Sequence, residues 1–191
     1  MIIGHHKQWQ FLNRSIENDR IAHAYLFYGP AKIGKRAVAL EITKLLTSPA
    51  GESHIVPDLI LIEPEYPIDE EGELKEASRA VIHISQIREL KARLSLSAIK
   101  GGYKAAIIDE APAMTTDAQS ALLKLLEEPK GKTVIILLAQ HLQQLPQTIV
   151  SRCQLIRFDL LPSRDIEEYL SQQKVPVKRA QELSWLSFGR P

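Results

Sequence analysis

Residues 29–40 read GPAKIGKRAVAL. A glycine, four intervening residues and Gly-Lys make most of a phosphate-cradling loop, in which backbone N–H groups and the following helix N-terminus favour a phosphate chain. Gly29, Gly34, Lys35 and Arg36 are therefore the candidate nucleotide-binding residues, with Lys35 reaching the outer phosphates. The residue after the lysine ordinarily offers Mg²⁺ a hydroxyl. Arg36 has no acceptor atom and cannot do so. Lys32 stands where such loops often carry glycine, and a positive φ there costs roughly 1–2 kcal/mol for a residue with a side chain. From these residues alone, a turn with Lys35 and Arg36 in solvent is the competing reading.

The second pair of candidates is Asp109-Glu110, closing the apolar run KAAIID. A P-loop fold puts a metal-binding aspartate and a water-activating carboxylate at such a strand end. The two motifs lie ~70 residues apart in the right order, which favours P-loop ancestry over an acidic strand end met by chance. Arg36 and Asp109 hold the two positions that would share Mg²⁺. Either the arginine supplies the missing positive charge by pairing with the aspartate, or it points to solvent. A partly buried Asp109 without metal or partner would be costly.

Other chemistry-bearing residues carry less. His5 and His6 are adjacent, point apart on a helix, and read as surface residues. Asp69, Glu70, Glu71 and Glu73 read as a solvated loop. Cys153, the single cysteine, reads as a small packing residue, without a partner for an internal disulfide or a metal-ligand pair.

These residues need elements to position them. Trp9, Leu12 and Ile16 recur at helical spacing within 5–19. AYLFY (24–28) is a buried strand breaking at Gly29-Pro30. Residues 34–47 form a helix with Val38, Ile42, Leu45 and Leu46 on one stripe, stopped by Ser48-Pro49-Ala50-Gly51. DLILIE (58–63) is a second strand, and 63–79 an exposed loop or hairpin. Ser85 caps a helix with Ile87, Leu90 and Leu94. KAAIID (104–109) follows the turn at Gly101-Gly102. A helix capped by Thr115 or Thr116 buries Ala118, Leu122, Leu125 and Leu126 and stops at Pro129. TVIILL (133–138) and QLIRF (154–158) are the last strands. Past Leu161-Pro162 the pattern is helical, with Ser163 capping Ile166, Tyr169 and Leu170, then a helix with Ala180, Leu183 and Leu186.

Strands alternating with helices predict an α/β fold, a five-stranded parallel sheet covered on both faces. A boundary near 160 divides it into an α/β domain, 1–160, and a small helical unit, 161–191. The chain stops at SFGRP in mid-pattern, so a cut or a missing further domain is expected. Its 191 residues are 45% apolar and 25% charged with a net charge of +1. No global field draws such a chain onto nucleic acid or a membrane. No apolar run approaches a membrane span and MIIGHHKQWQ lacks a signal-peptide pattern; a cytoplasmic protein is expected.

DEAPAMTTDAQSALLKLLEEP (109–129) followed by LPQTIVSRCQLIRF (145–158) resembles the clamp-loader branch of the AAA+ ATPases, and the resemblance spans nearly the whole chain. It implies a P-loop AAA+ domain followed by a helical lid domain, with the family's C-terminal collar domain absent. In that family the arginine of Ser-Arg-Cys is an arginine finger directed at the γ-phosphate of ATP on a neighbouring subunit. That role falls on Arg152, whose rigid charged fork suits it. Implied partners are the other clamp-loader subunits of DNA polymerase III (gamma/tau and delta), the sliding clamp, and primer–template DNA through the assembled complex.

Some members keep the fold and the finger while their own nucleotide site decays. Arg36, Lys32 and the strand end LLAQ (137–140) agree with such a member, since active relatives place Thr or Asn near the γ-phosphate there. Gly29, Gly34, Lys35 and Arg36 are then a degenerate loop, and Asp109 and Glu110 vestigial metal and water-activating positions. No cofactor is required, ATP/Mg²⁺ binding is weak or absent, and intrinsic ATPase activity is not expected. Many relatives carry a four-cysteine zinc module between the two motifs; this chain has no cysteine there, which excludes it by ligand type. The alternative is an active gamma/tau-like motor subunit. An unrelated P-loop kinase would leave the SRC segment without a role.

Overall fold

The computed structural model describes residues 2–47, 58–66, 79–96, 98, 102–129 and 131–191. The chain runs α1 (His6–Glu17), β1 (Ala24–Tyr28), α2 (Lys35–Thr47), β2 (Leu59–Ile62), α3 (Ile84–Ser95), β3 (Lys104–Ile108), α4 (Thr116–Glu127), β4 (Thr133–Ala139), α5 (Gln147–Val150), β5 (Gln154–Arg157), α6 (Ser163–Gln172) and α7 (Val177–Leu186). Short 3₁₀ turns at Ala111–Ala113 and Leu142–Gln144 follow β3 and β4.

The five strands form one parallel sheet in the order β2-β3-β4-β1-β5. Alternation along each strand divides the core into two layers. Tyr25 and Phe27 of β1, Ile107 of β3, and Val134, Ile136 and Leu138 of β4 pack with Leu12, Val38 and Ile42. Ala24 and Leu26, Ala106 and Ile108, and Ile135 and Leu137 pack on the opposite side with Ile87, Leu90, Leu122 and Leu125. Helices thus cover both faces, as the near-continuous apolar strands require. All strands point one way, so their carboxyl ends line up along one edge, where open α/β sheets hold their sites. The loop after β1, Glu63 after β2, Asp109 after β3 and Gln140 after β4 all gather there. Backbone bonds pin this edge: Asp109 N–H donates to Ile62 O at 2.9 Å and Gly29 N–H to Gln140 O at 3.1 Å.

The expected elements appear with small shifts, and four details are corrected. Ser85 is not a cap but the second residue of α3, whose N-cap is His83; the His83 N–H donates to Gln86 Oε1 at 2.9 Å. Ser163 is the first residue of α6, because Pro162 already holds the extended conformation that precedes the helix. Leu45 is 44% exposed while Val38, Ile42 and Leu46 are buried, so the apolar stripe of α2 is narrower than its sequence suggests. On α7 the side chains facing inward are Ala180 and Ser184, whereas Leu183 and Leu186 are exposed. Thr115 is the cap of α4, accepting from Ala118 N–H. The stop at 48–51, the acidic stretch 69–73 and Gly101 lie outside the described residues. No helix among the described residues is long and apolar enough to cross a membrane.

Candidate functional site

The loop after β1 turns sharply because two of its residues are glycines. A Cβ on Gly29 would stand 2.0 Å from the Phe158 carbonyl oxygen, and Gly34 has φ +99°. Lys32 between them has φ 59°, the left-handed conformation that its sequence position made costly. Glu110 is also left-handed, with φ 46°. Two strained non-glycine residues therefore border the same cleft.

The cleft has a volume of about 350 Å³ and is walled by the loop with Lys35 and Arg36, by Asp109-Glu110, and by the end of β4. Sequence-distant candidates are thus brought together: Lys35, Arg36, Asp109 and Glu110 share one opening. Lys35 is buried, and its Nζ donates to the loop carbonyls of Gly29 at 2.6 Å and Pro30 at 2.5 Å. Burial lowers its pKa, against the pull of the Asp109 carboxylate.

Of the two orientations open to Arg36, the paired one is present. Its Nη1 donates to Asp109 Oδ2 at 3.0 Å, and also to Glu63 Oε1 at short range. Burial opposes its charge, and the Glu63 and Asp109 carboxylates outweigh that and raise its pKa. Asp109 is further committed through Oδ1, which accepts from the Glu110 N–H at 2.9 Å. A guanidinium brings only donors. Where a P-loop fold would put Mg²⁺ between a hydroxyl and an aspartate, these residues offer a cation already hydrogen-bonded to the aspartate, and they do not fit a metal ion.

Three participants escaped the sequence reading. Glu63 reads in the sequence as the shared end of a strand and start of a polar loop; it directly follows β2, the neighbour of β3, and so stands beside Asp109. Arg79 lines the cleft. His5 is a correction: it is 7% exposed rather than on the surface, because its ring lies beneath the loop, Nε2 2.6 Å from Ile33 O and edge-on to Phe158. Burial lowers its pKa, opposed by the Ile33 hydrogen bond and the carboxylates of Asp159 and Asp165. His6 is exposed.

Arg152 lies apart from the cleft, on the turn that links α5 to β5. Its side chain is 36% exposed. Nη2 donates to Glu127 Oε1 at 2.7 Å and Nη1 to Thr148 O at 2.9 Å. The neighbouring Cys153 packs against the core, and burial pushes its thiol pKa up to about 12. It is protonated and a poor nucleophile, as expected of a packing residue.

A family model described as "DNA polymerase III, delta subunit" matches residues 4–162. The chain is 33% identical over 189 residues to the DNA polymerase III subunit delta′ of Bacillus subtilis, covering 92% of this chain and 54% of that one. It is 36% identical over 187 residues to the subunit delta′ of Pseudomonas aeruginosa, covering 89% and 54%. It therefore spans about half the length of these relatives. A crystal structure of a DNA polymerase III gamma subunit-related protein from Thermotoga maritima superimposes with a TM-score of 0.64 at 28% identity, covering 94% of this chain and 58% of that one.

Proposed function

This chain belongs to the DNA polymerase III delta-subunit family, on the delta′ branch of the clamp-loader AAA+ proteins, and from that premise we propose that it is a non-hydrolysing clamp-loader subunit. It acts in DNA replication, where the loader places the sliding clamp on primer–template DNA in the cytoplasm. Its partners are the ATP-hydrolysing gamma/tau subunits, delta and the clamp. The helical pair α6–α7 corresponds to the AAA+ lid in this reading.

The observation that carries this reading is the contact between Arg36 and the Asp109 and Glu63 carboxylates. A side chain that cannot ligate Mg²⁺ holds the metal's position and engages the aspartate that would bind it. The loop from Gly29 to Arg36 is then a retired nucleotide site, with Glu110 a vestige of water activation. Arg152 retains its use in trans, as an arginine finger toward ATP on the neighbouring subunit. Its partial exposure, on a turn away from the cleft, supports that role. A guanidinium there stabilises charge on the transferring phosphoryl group.

Calorimetry with ATP, with and without magnesium, tests the retired site. The expected result is weak or absent binding that magnesium does not strengthen. Tight, Mg²⁺-dependent binding together with ATP turnover by the isolated protein, abolished by Lys35→Ala, would replace this reading with that of a motor subunit.

A further inference from the structure

Arg152 is rigid at its base and restrained at its tip, and the two restraints come from different elements. Ile149 and Val150 are buried, and the Arg152 N–H donates to Ile149 O at 3.1 Å, so the backbone of the turn is fixed. The long side chain would otherwise sample many rotamers. Two contacts hold it. One is local, to the Thr148 carbonyl. The other reaches across 25 residues to Glu127.

Glu127 is the last residue of α4, a helix that ends there because Pro129 disfavours continuation. Leu125 and Leu126 beside it are buried, so its carboxylate is rooted on a rigid support. The Glu127 bond uses Nη2 and the Thr148 bond uses Nη1, which together occupy part of a five-donor fork. Donors remain for a second anion while the guanidinium stays where it is.

Resting on the arginine-finger reading, we infer that Glu127 is a positioning residue for Arg152: it holds the guanidinium in a presented geometry before a neighbour's triphosphate arrives. The entropy of ordering a mobile arginine is then met within the subunit rather than during phosphoryl transfer. Because the pair is half exposed, it adds little to fold stability. Its effect should appear in catalysis by the complex.

The test uses the full-length protein assembled with its ATP-hydrolysing partner subunits. Glu127→Ala is expected to lower kcat for ATP by on the order of tenfold, with KM, assembly and thermal midpoint unchanged. Glu127→Gln should restore most of the rate, since its amide oxygen can accept the same N–H. Glu127→Ala combined with Arg152→Ala should be no slower than Arg152→Ala alone. The inference is overturned if Glu127→Ala is as fast as the unmodified protein or faster while Arg152→Ala is slow, or if the two losses multiply. A normal rate for Arg152→Ala would sink the finger reading itself, and this inference with it.

Discussion

Arg36 and Arg152 are the same side chain in opposite circumstances. Arg36 sits at the first turn of α2, near strand ends that carry Glu63 and Asp109, and meets two carboxylates through one nitrogen. Arg152 leaves a surface turn and meets one carboxylate and one carbonyl through two nitrogens. The first arrangement places a fixed cation among the protein's own anions, at the spot where a metal would share them. The second balances one charge with one charge and leaves part of the fork for another anion. The difference teaches that an arginine's chemistry is set by what its neighbours leave unsatisfied.

The sharpest way to break this contrast is to remove Arg152. In a complex with ATP-hydrolysing subunits, Arg152→Ala should lower ATPase activity by ~10³-fold or more, the scale found when arginine fingers are lost. Arg152→Lys should rescue little, because an ammonium is a point charge without a planar fork. Nucleotide binding by the neighbour should persist. A normal rate for Arg152→Ala would leave the two arginines without the functional difference claimed for them.

Arg36→Thr asks the converse question. It restores a hydroxyl beside Lys35 and releases Asp109, so Mg²⁺-dependent ATP affinity should rise by about tenfold or more, equivalent to ~1.4 kcal/mol. The fold should lose little, below ~1 kcal/mol, because the ion pairs of Arg36 are partly exposed. Titration calorimetry and a thermal melt read both. Unchanged affinity would mean that Arg36 is not what closes the site to metal.

The contrast was only half legible in the chain. The strands were readable to within a residue: four are largely apolar runs bounded by a turn signal or a polar residue, and β5, QLIR, shows only the pair Leu155-Ile156. Their order was not, since a parallel crossover leaves no local mark on the sequence. Lys35, Asp109 and Arg152 announced themselves by spacing or motif. Glu63 did not, and Glu127, although inside the 109–129 motif, has no role readable from it: each is an ordinary acid whose partner lies 27 or 25 residues away in the chain, and only the sheet edge or the end of α4 brings it into range. His5 was misread because adjacency with His6 suggested two exposed rings, while the tertiary fold buries one under the loop. The helix α5, at four residues, is too short to show a period.

The smallest expected effect concerns Lys32, and it sharpens the claim that the pocket side has no remaining duty to phosphate. Its φ of 59° costs roughly 1–2 kcal/mol for a residue with a Cβ. Glycine removes that cost but surrenders ~0.5–1 kcal/mol of backbone entropy on folding. Lys32→Gly should therefore stabilise the fold by only ~0.5 kcal/mol, raising the thermal midpoint by about 1–2 °C at this chain length. If the loop no longer serves ATP and Arg152 acts as the proposed finger, the ATPase rate of a complex containing Lys32→Gly should match that of the unmodified complex. A stabilised variant with a slower complex would instead tie the strained loop to the working edge, and the separation between the two arginines would fail.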